Sequence, residues 1–104
     1  MARYTLGELQ NGTALSLRTG DVVVLRLRED PATGQRWDIV TAPGFVLEAD
    51  DFIHSEAGGE RALRFKATVE GAARIDVALR RNSEVASPQR GFTVTAEIRH
   101  CLPG

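Results

Sequence analysis

The chain has 104 residues, 42% of them hydrophobic, and a formal net charge of −1 from 13 basic and 14 acidic side chains. That length is one domain's worth with enough apolar material for a core, and it is read as a single domain over residues 1–104. The charge balance excludes bulk attraction to nucleic acid or an anionic membrane, and a lone cysteine, Cys101, excludes an intramolecular disulfide.

The first residues, Met1 to Glu8, carry no apolar h-region, so no signal peptide is read there. Together with the single cysteine this favours the cytoplasm over the periplasm or secretion. Asn11-Gly12 is a turn signal, and the sequon Asn11-Gly12-Thr13 reads as that turn rather than as a glycosylation site. A weak strand is expected over Thr13 to Arg18, then a turn at Thr19-Gly20-Asp21. In Asp21 to Arg28 the apolar Val23, Leu25 and Leu27 alternate with Arg26 and Arg28, a half-buried strand. Weaker strands follow at Trp37 to Thr41 and Phe45 to Ala49, divided by Ala42-Pro43-Gly44. The acidic stretch Asp50-Asp51 reads as a solvated turn. From Arg61 to Val69, Leu63, Phe65, Ala67 and Val69 form one face. From Arg74 to Arg80 the face is Ile75, Val77 and Leu79, and from Phe92 to Arg99 it is Phe92, Val94, Ala96 and Ile98.

One apolar and one polar face per strand predicts antiparallel sheets with one side in water. About seven such strands in this length predict an all-β, immunoglobulin-like β-sandwich, with a small barrel as the alternative. The buried set is expected to be Val23, Leu25, Leu27, Phe65, Val69, Ile75, Val77, Leu79, Phe92, Val94 and Ile98. Arg26, Arg64, Lys66, Asp76 and Thr95 are expected to face water, since a slip of one residue would exchange the two sets.

Asp30-Pro31-Ala32-Thr33-Gly34-Gln35-Arg36-Trp37 separates two of these strands. Proline fixes φ and glycine tolerates φ > 0, so the segment is a loop of defined shape ending on the only tryptophan, which is expected to pack between the sheets. It resembles the Asn-Pro-Thr-Thr-Gly-Tyr-x-Trp signature of the chagasin-like inhibitors of papain-family cysteine peptidases. Pro31, Thr33, Gly34 and Trp37 match; Asp30, Ala32 and Gln35 replace asparagine, threonine and tyrosine. Gly58 and Gly59 match the paired glycines of the family's Gly-x-Gly-Gly motif, with Glu56 in place of the first. Arg81 matches the arginine of its Arg-Pro-aromatic motif, but Asn82 and Ser83 follow it.

The resemblance implies a reversible inhibitor of a papain-like cysteine peptidase, not an enzyme, with no cofactor, and the chain is expected to be monomeric. The residues implied to meet the peptidase are Asp30, Pro31, Ala32, Thr33, Gly34, Gln35, Gly58, Gly59 and Arg81, on three loops gathered at one end of the sandwich. The alternative is a non-inhibitory immunoglobulin-like binding module that keeps the scaffold and has lost the third loop.

Catalytic and metal readings are weaker. His100 and Cys101 are neighbours, and successive residues of a strand point to opposite faces. His54 with Asp50 and Asp51 fits no metal-ligand spacing.

Overall fold

The alternating runs become strands whose apolar faces close on one another as a two-layer sandwich. The computed structural model describes residues 2–30, 32, 34–55, 58–81 and 90–100, and of Ser55 and Arg81 only the backbone. In chain order the strands are β1 (Arg3–Gly7), β2 (Thr13–Arg18), β3 (Val22–Arg28), β4 (Gln35–Thr41), β5 (Phe45–Ser55), β6 (Gly58–Ala67), β7 (Gly71–Arg81) and β8 (Arg90–Arg99). A 3-10 turn, Glu8–Gln10, lies between β1 and β2. The first sheet runs β1-β3-β6-β5 and the second β2-β8-β7-β4.

The fold class is therefore the expected all-β sandwich, with two differences. Among the described residues there is one strand more than expected, β1, in which only Leu6 is buried, so its alternation is faint. The sheets are also not wholly antiparallel: β1 lies parallel to β3, and β2 parallel to β8. The chain changes sheet between β1 and β2 and again between β2 and β3, so each of these short strands joins an edge without a hairpin.

Val23, Leu25 and Leu27 stand opposite Phe65, Leu63 and Arg61 across the β3–β6 ladder. The second sheet faces them with Trp37, Ile75, Val77, Leu79, Phe92, Val94 and Ile98, all in one buried cluster. Val22 and Val24 are buried as well, on the outer face. Their register neighbours there are Arg3, Thr5, Lys66 and Arg64, and long basic side chains cover apolar surface with their stems.

Three burial expectations need correction. Val69 is 60% exposed, because β6 ends at Ala67 and the Thr68 and Val69 N–H groups turn aside to the carbonyl of Gly44. Asp76 is half-buried, held by Arg74 at 2.7 Å and by the Thr93 hydroxyl at 2.8 Å. Lys66 is likewise half-buried, between Val22 and Val46 in register.

β5 also runs further than its sequence suggests. A bulge between Leu47 and Ala49 resets its register, after which Asp50 to Ser55 pair with Leu63 to Gly58. The expected turn at Asp50-Asp51 is thus strand. An extra residue in one strand reverses which face the following side chains occupy, and that hides the alternation from a simple reading.

Leu25→Ala is expected to lower the unfolding free energy by about 2–5 kcal/mol, as deletion of a fully buried side chain does. Val69→Ala should change it by no more than about 0.5 kcal/mol. Urea unfolding of both variants checks the contrast, and equal effects would contradict the corrected end of β6.

Candidate functional site

Which segments meet at the end of the sandwich follows from the sheet order. The segment between β3 and β4 crosses from the first sheet to the second, whereas β5–β6 is a hairpin within the first and β7–β8 a connection within the second. Arg28 pairs with Glu60, and the Glu29 N–H donates to the carbonyl of Gly59 at 3.1 Å, so the crossing loop leaves beside the β5–β6 hairpin. It returns at Gln35, which pairs with Arg81, so it rejoins the sandwich beside the end of β7.

Four of the residues implied by sequence are thereby drawn into two neighbouring pairs in the described structure. Asp30 lies within about 4 Å of where a side chain on Gly58 would begin, and Gln35 and Arg81 face each other across a ladder. Asp30 also shapes the loop locally, its carboxylate accepting the Ala32 N–H at 3.0 Å. Gly34 and Gly58 hold φ of +74° and +118°, a backbone region that favours glycine. Gln35 is the first residue of β4 rather than part of the loop. Pro31, Thr33, Glu56, Asn82 and Ser83 lie outside the described residues.

Beneath the loop sits a polar cluster absent from the sequence reading. Glu29 is 4% exposed. Its carboxylate accepts the Trp37 N–H at 2.7 Å and the Arg61 guanidinium at 2.7 and 3.2 Å. Trp37, 3% exposed, donates its indole N–H to the carbonyl of Arg28 at 2.8 Å. The guanidinium of Arg61, whose side chain is 13% exposed, extends a third N–H to Asp50 at 2.9 Å and lies 5.3 Å from the ring centre of Phe52. The hydrogen bond to Glu29, and then that to Asp50, raise the Arg61 pKa above its ordinary value against the opposing effect of burial. The charge of Arg61 therefore contributes stability below that value, and this is lost only in strong alkali.

One signal could have found the pair. Glu29 continues the inward positions Val23, Leu25 and Leu27, and Arg61 continues Phe65 and Leu63, so opposite charges fall at inward sites of adjacent strands.

Gly59 has a reason of its own. A Cβ built on it would stand 2.1 Å from the Phe52 ring, which covers this glycine and meets His54 edge-on at 4.8 Å between ring centres. Asp50 and His54 are thus engaged by Arg61 and Phe52. Among the described residues no three or more His, Cys, Asp or Glu side chains gather as a metal site. His100 is exposed beside Glu70 at 3.5 Å, and Cys101 is outside the described residues. Asn11 and Gly12 form the expected turn, and the Asn11 side chain also bridges to β8, accepting the Thr93 N–H at 2.9 Å.

Gly59→Ala is expected to lower stability by about 1–3 kcal/mol, because the added methyl must displace a packed ring. Combining it with Phe52→Leu should recover part of that loss in a double-mutant cycle read by thermal unfolding. Strictly additive effects would show that the Phe52 ring is not what the glycine accommodates.

Comparison with known proteins bears on the chain as a whole. The profile of the chagasin family of peptidase inhibitors (I42) matches residues 16–98. The crystal structure of EhICP2, a cysteine protease inhibitor from Entamoeba histolytica, superposes with a TM-score of 0.86 at 28% identity, covering 95% of this chain and 97% of that one. Amebosin shares the fold at a TM-score of 0.79 and 19% identity over 95% and 99% of the two chains. PbICP-C, solved in complex with falcipain-2, does so at 0.61 and 15% over 97% and 100%. No curated protein matches the chain significantly. With the family profile spanning most of its length, this chain belongs to the chagasin family of peptidase inhibitors, and it is a cysteine peptidase inhibitor rather than an enzyme.

Proposed function

We propose that the crossing loop and the two connections beside it enter the active-site cleft of a papain-like cysteine peptidase and block it reversibly. The observation that carries the reading is the placement of the Asp30–Gln35 segment. It carries the family's Pro31, Thr33 and Gly34 and leads into its Trp37, and its two ends lie beside the roots of the other two loops. Asp30, Pro31, Ala32, Thr33, Gly34, Gln35, Gly58, Gly59 and Arg81 form the proposed contact set.

The mechanism is occlusion, not chemistry. A loop fixed at both roots loses little conformational entropy on docking, and a standard-sized interface would bury roughly 1,600 Å² in total. The loop wedges into the cleft without presenting a scissile bond, so the inhibitor stays uncleaved and competes with substrate. The complex of PbICP-C with falcipain-2 supports this kind of partner. The family match disfavours the non-inhibitory binding module.

This chain departs from the family pattern at Asn82 and Ser83, where proline and an aromatic are usual. An interface tryptophan is often a hot spot of about 2 kcal/mol or more, equivalent to roughly 30-fold in affinity. A weaker inhibitor than members with that aromatic is the expected result.

Residual activity of papain and a cathepsin-L-like peptidase against rising inhibitor concentration tests the reading. Competitive, reversible inhibition is expected. Thr33→Arg should abolish it, because an unpaired charge and added volume do not fit a filled cleft. Ser83→Trp should strengthen it by up to about 30-fold. A folded wild-type chain inactive at micromolar concentration across the panel would overturn the proposal.

A further inference from the structure

We propose that Glu29 and Arg61 are positioning residues for inhibition: their buried ion pair couples the crossing loop to the β5–β6 hairpin, so that the binding end is already assembled before a peptidase arrives. The inference rests on the inhibitory reading above.

The loop has two roots on two different sheets, at Arg28-Glu29 and at Gln35 to Trp37. Glu29 ties the first root to the second by accepting the Trp37 N–H, and the Trp37 indole returns the tie through the Arg28 carbonyl. Arg61 then joins this knot to the hairpin. It occupies both carboxylate oxygens of Glu29, pairs with Asp50, and stacks on the Phe52 ring that covers Gly59. The β4–β7 ladder carries the same constraint to Arg81 at the root of the third loop. One pair of side chains thus holds together the roots of all three loops.

Glu29 is too deeply buried to contact a peptidase. Any effect of removing its charge on inhibition must therefore act through the arrangement of the loops. A contact residue changes mainly the dissociation rate. A positioning residue changes the fraction of molecules that are competent to bind, so it lowers the apparent association rate.

The test measures association and dissociation rates with papain for the wild type, Glu29→Gln, Arg61→Lys, Arg61→Gln and the double variant Glu29→Gln/Arg61→Gln. Each protein is held at a temperature where circular dichroism shows it folded, and amide hydrogen exchange is followed on the free proteins. Glu29→Gln and Arg61→Gln are each expected to weaken inhibition about tenfold or more, chiefly through slower association. The double variant should be no worse than either, as coupled residues require. Arg61→Lys, which keeps the charge and loses the bidentate fork, should fall between. The Trp37, Gly34 and Gly59 amides should exchange faster relative to Val94, in the core of β8. Folded variants that associate at the wild-type rate overturn the proposal, as does exchange that changes uniformly or not at all. Should Glu29→Gln fail to fold, Arg61→Lys decides the matter. A wild-type chain that does not inhibit would remove the functional reading alone. Exchange at the same three amides then decides the coupling, local acceleration upholding it and uniform change ending it.

Discussion

A carboxylate and a guanidinium meeting almost out of water, Glu29 with Arg61, set the geometry on which the binding end depends. Taking both charges out of water is unfavourable, and exchanging such a pair for apolar side chains is often neutral or stabilising. Its presence therefore points to specificity of arrangement rather than to net stability. Apolar side chains could fill the same volume, but they could not require Trp37, Arg28, Asp50 and Phe52 each to stand in one place. Directional partners do so, because every hydrogen bond left unmade in a dry site is costly.

The opposite end of the sandwich uses a simpler device. Asp21, also buried, accepts the backbone N–H groups of Ala2 and Arg18 at 2.9 Å each and so closes the turn between β2 and β3. Both of these partners are main-chain N–H groups. Glu8 is intermediate between the two: it takes the Arg28 N–H at 2.7 Å and the exposed Arg90 side chain at 3.3 Å. It lies in the 3-10 turn, ahead of the residues matched by the family profile. The N-terminal segment thus adds a tie of its own between β3, where the crossing loop begins, and the start of β8.

Much of the fold is legible because period-two alternation survives in β8 and through much of β3 and β7. The core residues Leu25, Ile75, Val77 and Val94 follow from it directly. It fails where local geometry breaks the count. The bulge in β5 inverts the faces after Leu47, so Asp50 and Phe52 fall on the face of Leu63 and Arg61, their register partners, although the sequence there looks like a polar turn. β1 is missed because a short edge strand with one buried residue carries almost no pattern. At the site, the turn at Gly34 can be read from the sequence, but the loop's support cannot be read from one strand at a time. Glu29 and Arg61 are ordinary charged residues until the β3–β6 register sets them side by side. Gly59 likewise reads as a turn residue, although its use is to lie beneath Phe52.

A loop whose shape is governed from below is free to vary above. Three of the groups that hold this one, Glu29, Arg61 and Trp37, lie outside the Asp30–Gly34 segment, while Asp30 braces it from within through the Ala32 N–H. The Ala32 side chain can therefore differ from the family's residue while the framework keeps its form, and a new tip can be tried without rebuilding the scaffold. In evolutionary terms, the target repertoire is uncoupled from foldability. For protein engineering, the same separation marks residues 30–34 as a graft position whose boundaries the molecule has already drawn.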